Sequence, residues 1–246
     1  MLSRMDSVAP NRGMNAPLLL AAGCLPGLSG FSQPLDWIWA KRVGGPDEYD
    51  RGVEVATGKT GDCYVAGVFT SPTLTLTGRT NSMTLANGDN QWNVFPAKYS
   101  PAGELVWAQG IGGITIPLTL SSAVSVSAMA IDGADNLCLT GGFWHSAVFG
   151  TSNAVTFSSP EGTEVLYVAK FASDGTFIWA QQGQGLVPCH GDAVRVNQDG
   201  RVYVAGTFGV GEAWQDLILG AGEECGNAAH HGPLDRVPGD LRLGRP

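Results

Sequence analysis

The chain has 246 residues, enough for one sizeable core or a string of small ones, and 14 basic against 22 acidic residues leave a net charge of −8. That balance argues against nucleic acid and anionic membrane surfaces as partners, since both require clustered lysine and arginine. With 35 glycines and only 15% charged residues, in short apolar runs broken by Gly, Asp and Asn, the chain reads as an all-β, turn-dense protein.

Residues 1–32 read as a leader. Arg4 and Arg12 precede the apolar stretch "APLLLAAGCLPGL" (Ala16 to Leu28), which is too short to span a bilayer and ends in small residues. This is the layout of an export signal, with cleavage expected after Ser32 and a secreted or cell-surface product. Lipid anchoring at Cys24 is the weaker alternative, because Ala21 stands where a lipobox usually has leucine. An untidy leader broken by Pro17 and Pro26 is the plain one. No later apolar run reaches the ~18 residues of a transmembrane helix.

Residues 33–224 contain a repeat. "CYVAGVF" (Cys63 to Phe69), "LCLTGGF" (Leu137 to Phe143) and "VYVAGTF" (Val202 to Phe208) align without gaps, which superposes Gly67, Gly141 and Gly206. Each follows a short strand and a turn: "VATGKTGD", "MAIDGADN" and "VRVNQDGR". Gly, Asp and Asn tolerate the positive φ that tight hairpins demand, so each unit is expected to open with a β-hairpin.

The first two units then pass through a polar loop to a second pair of strands, "NVFPAKYSPAGELVWAQ" and "VLYVAKFASDGTFIWAQ". Lys98 and Trp107 match Lys170 and Trp179, and Trp39 in "WAKRVGG" matches both tryptophans. The units run over about 50–110, 122–182 and 190–224. A four-stranded antiparallel unit repeated every ~70 residues predicts a β-propeller-like array of four-stranded blades in an incomplete ring. Tyr64, Val65, Val68 and Phe69 are expected between blades, and the recurring tryptophan on the outer part of each. Pro96 cannot donate to a ladder and is expected at an edge or a bulge.

"DEYDRGVEVATGKTGDCYVAGVFTS" followed by "VFPAKYSPAGELVWAQGIGG" resembles the SBBP group of bacterial β-propeller repeats, over about Trp37 to Phe208. The second copy departs from that pattern at Cys138, Thr140 and Pro117, and the first at Pro96. The resemblance implies an extracytoplasmic setting and a binding or scaffolding role, with no shared catalytic residues.

From about Cys225 to residue 246 the pattern is lost in "PLDRVPGDLRLGRP", which reads as a disordered or frame-lost tail. A product truncated there, without independent function, is one alternative reading. Cys63 and Cys138 fall in strands, and the cysteine spacings match no disulfide framework. Cys189 with His190, and Cys225 with His230 and His231, lack the spacing of a zinc motif. "DGADN" at Asp132 lacks the distal glutamate of a calcium loop and is read as a hairpin turn. No G-x-S-x-G elbow or flanking carboxylate pair is evident, and no catalytic residue, metal or cofactor is assigned.

The expected function is therefore non-catalytic binding or scaffolding at the bacterial cell surface. Loops Thr70 to Gln91 and Gly142 to Thr163 would meet an unknown protein or carbohydrate ligand, with Trp92, Trp144 and His145 as candidate contacts. Open blade edges would permit self-association. The rival class is a propeller enzyme, acting on polysaccharide or as a quinone-dependent dehydrogenase.

Overall fold

The computed structural model describes residues 18–22, 38–46, 49–88, 91–113, 122–160, 163–183, 188–210 and 213–219. Most of the leader with Cys24, and the tail with Cys225, His230 and His231, lie outside the described residues. Those described form eighteen strands and no helix. Among the described residues no helix is long and apolar enough to cross a membrane.

In chain order, β1 (Leu18–Ala22) and β2 (Trp39–Gly44) come first. The first repeat holds β3 (Arg51–Thr57), β4 (Cys63–Phe69), β5 (Thr73–Thr77), β6 (Ser82–Ala86), β7 (Asn93–Tyr99) and β8 (Leu105–Ala108). The second holds β9 (Ala123–Val124), β10 (Ala128–Ile131), β11 (Leu137–Trp144), β12 (Ser146–Phe149), β13 (Val155–Ser158), β14 (Glu164–Phe171) and β15 (Phe177–Gln182). The third holds β16 (Cys189–Val196), β17 (Val202–Val210) and β18 (Ala213–Leu219).

Strands β3-β4-β7-β8 make one antiparallel sheet and β10-β11-β14-β15 another, with β9 also on β11; β16-β17-β18 make a third. None closes on itself. The first strands of the repeats lie together, β3 against β10 and β10 against β16.

The three opening hairpins share one turn. Gly58, Asp132 and Asn197 each donate a backbone N–H to the carbonyl four residues on, and each accepts one from the residue three on. That third residue is Gly61, Asp135 or Gly200, all with positive φ. The turns over 100–104 and 172–176 repeat the arrangement, with Gly103 and Gly175 in the left-handed position. Tight turns thus gather at one end of the sheets, and the longer connections emerge at the other.

The connections expected to be polar loops contain further hairpins. β5–β6 pairs with β2, through Val43↔Leu76 and Gly44↔Thr75, in a sheet ordered β1-β2-β5-β6. β12–β13 touches the first repeat through a bridge from Val148 to Gly112. Gly44 and Gly112 occupy the same place behind Trp39 and Trp107. The first two repeats therefore each lay their inserted hairpin on the end of the strands before them. Inside the stretch read as an export signal, β1 pairs along β2 from Leu18↔Val43 to Ala22↔Trp39.

Strands β4 and β7 are buried along their whole length. Alternation splits β4 between two cores: Tyr64, Ala66 and Val68 face the second repeat, while Cys63, Val65 and Phe69 join Val43, Leu74 and Leu76. Both faces of the sheet are covered, so its central strands carry continuous apolar runs rather than alternation.

Two of the three matched tryptophans, Trp39 and Trp107, fasten one repeat to the next. Trp39 donates its indole N–H to Pro101 O at 3.0 Å, and Trp107 donates to Ser173 O at 3.1 Å. Each ring lies on the left-handed glycine of that turn: a Cβ on Gly103 would be 2.9 Å from Trp39 and one on Gly175 2.8 Å from Trp107. The matched lysines anchor the first-hairpin turns. Lys98 Nζ is 3.0 Å from Asp62 and also donates to Ser173 O, whereas Lys170 Nζ is 2.7 Å from Asp132.

Pro96 is neither at an edge nor in a bulge. It pairs with Ala66 inside the sheet, and the nearby register shift falls between Lys98 and Tyr99. Its carbonyl accepts from Gln109 N at 3.0 Å, just past the end of β8 at Ala108. The missing N–H therefore falls where the neighbouring ladder is already interrupted.

Glycine substitutions separate conformational strain from stacking. Gly200, with φ of +78° and nothing within 4 Å of a new Cβ, isolates the strain; Gly175, at +89°, adds the clash with Trp107. Gly200→Ala should cost about 1 kcal/mol in urea unfolding, and Gly175→Ala about 1–3 kcal/mol more.

Candidate functional site

Two regions concentrate polar chemistry, one at each end of the sheets. At the turn end, the first-hairpin turns of the three repeats surround a cleft of about 720 Å³. Lys59, Asp132, Asp135, Asn197 and Asp199 line it. Most of this polarity is spent within the turns. Asp132 accepts from the backbone N–H groups of Ala134 and Asn136 and from the Asn136 side chain, and pairs with Lys170. Burial alone would raise its pKa, but these partners hold it below the ordinary carboxylate value. Asp135 accepts from Lys59 N, and the Lys59 ammonium donates to Gly133 O. No three His, Cys, Asp or Glu groups among the described residues could together hold a metal.

At the opposite end the residues singled out in the sequence are spread out. Trp92 is half-buried beside the core, with the Arg51 guanidinium 5.5 Å from its ring centroid and Tyr49 6.0 Å away. Trp144 ends β11, paired with Glu164 and Ala123. His145 takes a left-handed conformation, φ +61°, where β11 turns into β12; its N–H donates to Ser159 Oγ at 2.8 Å.

A tighter group forms at the same end from residues assigned no role in the sequence. Glu164 opens β14, His190 lies near the start of β16, and Ser127 precedes β10. The His190 ring bridges the other two, with Nδ1 2.6 Å from Glu164 Oε1 and Nε2 2.7 Å from Ser127 Oγ. Asp192 Oδ1 stands 3.8 Å from Nε2 and is half exposed. The group spans the seam between the second and third repeats. Hydrogen bonding to Glu164 raises the His190 pKa, burial opposes it, and the Glu164 and Asp192 charges reinforce the rise.

Sequence reasoning noted His190 only beside Cys189 and missed its partners, because the three residues are far apart in the chain. The available signal was departure from the repeat. Alignment on the glycine strand puts Val53 and Asp192 at the position of Ser127 and Arg51 and Ser125 at that of His190, and alignment on the lysine strand puts Trp92 at that of Glu164.

Cys63 and Cys138 are free and buried, and burial raises their thiols to about 11 and about 12, so neither is a ready thiolate. Cys189 is disulfide-bonded, which the cysteine spacings did not suggest.

No protein-family model matches the chain, and no curated protein matches it.

The seam should respond to pH. Because the folded His190 pKa lies above the ordinary 6.5, its pairing contributes fully below that value and is lost as pH rises through the folded one. The excess thermal stability of the wild type over His190→Gln should therefore be full at acid pH and shrink as pH rises above the ordinary histidine value of 6.5 in paired melts.

Proposed function

We propose that the chain is an array of SBBP-type β-propeller blades, exported to the bacterial surface, which binds a carbohydrate or protein ligand. Several features support the propeller reading. The first strands of the repeats lie side by side, Trp39 and Trp107 each rest on the following repeat's turn, and the two inserted hairpins touch the strands before them. These are contacts a radial stack of four-stranded sheets needs to cover its faces.

The observation that carries the binding role is the cluster of Tyr49, Trp92 and Arg51. Tyr49 is 61% exposed, beside the half-buried Trp92 and at the end where the long connections emerge. An aromatic face with a polar rim and an adjacent guanidinium suits a sugar ring or a protein side chain, and such groups dominate binding energies where they occur. The apolar leader is what supports export, and paired edge strands are a route to self-association.

Purified protein tested on a glycan array and on bacterial cell-wall fractions should retain ligand. Tyr49→Ala and Trp92→Ala should weaken that binding by about tenfold or more each. Binding that is absent from the folded wild type, or unchanged in both variants, would contradict the assignment.

A further inference from the structure

Beyond a binding role, the geometry points to a chemical one at the seam between repeats. We propose that Ser127 is a nucleophile activated by His190 and Glu164, able to take the acyl group of a neutral carboxylic ester. Ser127 Oγ lies 2.7 Å from His190 Nε2, and the opposite ring nitrogen lies 2.6 Å from Glu164 Oε1. A nucleophile hydrogen-bonded to a base, with the base oriented by a third group, defines the arrangement on any fold.

Four positions depart together from what the other repeats carry. Besides Ser127, His190 and Glu164, Gly142 stands where the other copies have Val68 and Thr207. A Cβ on Gly142 would lie 2.0 Å from Glu164 Oε1 and 2.6 Å from His190 Nδ1, so only glycine leaves room for this pair. Backbone strain is not the reason for this glycine; close approach is. Repeat packing does not require the constellation, since the seam between the first and second repeats forms without it.

The position of Ser127 is also a place where the chain is re-aimed. Its counterparts Val53 and Asp192 are the extra residues at register shifts in β3 and β16. Ser127 N–H donates to Thr140 O at 2.9 Å, next to the Ala128↔Thr140 pair.

The chemistry balances as an ester hydrolysis. With Glu164 accepting from Nδ1–H, Nε2 is left to accept the Ser127 hydroxyl proton. As Oγ bonds to the ester carbonyl carbon, that proton moves to Nε2. When the carbon–alkoxide bond breaks, Nε2 returns the proton and an alcohol departs. Water then attacks the acyl-serine, its proton passing through Nε2 to Ser127 Oγ as the carboxylic acid leaves. Glu164 and Asp192, the charged groups facing the imidazole, disfavour anionic acyl groups. Because the Ser127 N–H is held by Thr140 O, it is not free to stabilise an oxyanion. Loss of one such donor costs about 10²–10³ in rate, in acylation and deacylation alike, so turnover should be slow.

The test is labelling of the full chain at about pH 8 with a fluorophosphonate probe, read by intact mass and peptide mapping, alongside p-nitrophenyl acetate hydrolysis. One adduct per chain on Ser127 and slow release of p-nitrophenol are expected. His190→Gln should slow labelling about 100-fold or more, and Glu164→Gln less, with both variants checked for fold by circular dichroism. The labelling rate should rise with pH to a plateau, with its midpoint above the ordinary histidine value of 6.5. Absence of a Ser127 adduct in folded wild type would overturn the proposal. So would His190→Gln that loses stability yet labels at the wild-type rate, which would leave the group a structural seam only. Should His190→Gln fail to fold, the Glu164→Gln rate and the wild-type pH profile decide the matter.

Discussion

A four-stranded antiparallel sheet with apolar residues on both faces cannot stand alone in water. Here the faces are covered by neighbours, and the contact that fixes how neighbours meet is an indole lying on a left-handed glycine. Trp107 brings its ring to Gly175 and its N–H to Ser173 O, while Trp39 does the same at Gly103 and Pro101. A tryptophan N–H that is buried needs an acceptor, and a turn carbonyl of the next repeat provides one at a fixed height. The glycine is required twice over, by its φ and by the space the ring takes. Stacking direction, spacing and burial of β4 and β7 follow from that one joint.

The repeat hairpins were legible in the sequence because their turns are chemical statements. Gly61, Asp135 and Gly200 are residues that accept positive φ, and the short apolar runs on either side leave little else for the chain to form. The inserted hairpins were not read, although "TLTLTGRTNSMTLA" alternates strictly: Leu74 and Leu76 are buried while Thr73, Thr75 and Thr77 are exposed. Hydroxyl-rich strands look like polar loops when composition is weighed ahead of period. Pro96 was misplaced for a related reason, since where a neighbouring strand stops is a property of the sheet and not of the strand.

The seam residues illustrate another limit. Glu164 and His190 come from strands of two repeats and Ser127 from the residue just before β10, and nothing in their local sequence links them. In a repeat protein the scaffold is what the copies share, so function is better sought where one copy breaks the rule. The Glu164 and Gly142 substitutions are visible once the copies are superposed. Their meaning emerges only when the fold sets a carboxylate, an imidazole and a hydroxyl in line. The same logic separates Tyr49 and Trp92 from the clip tryptophans: the latter recur in register, whereas Trp92 has Glu164 at its counterpart.

The joint on which the architecture rests can be observed directly through the indole proton of Trp107, by hydrogen exchange in two-dimensional NMR of the native protein. Held by Ser173 O and 95% buried with the ring, that proton should exchange only with global unfolding, orders of magnitude slower than a free indole. Exchange at the free-indole rate in folded protein would mean that Trp107 is not clasped by the next repeat, and the stacking described here would be wrong.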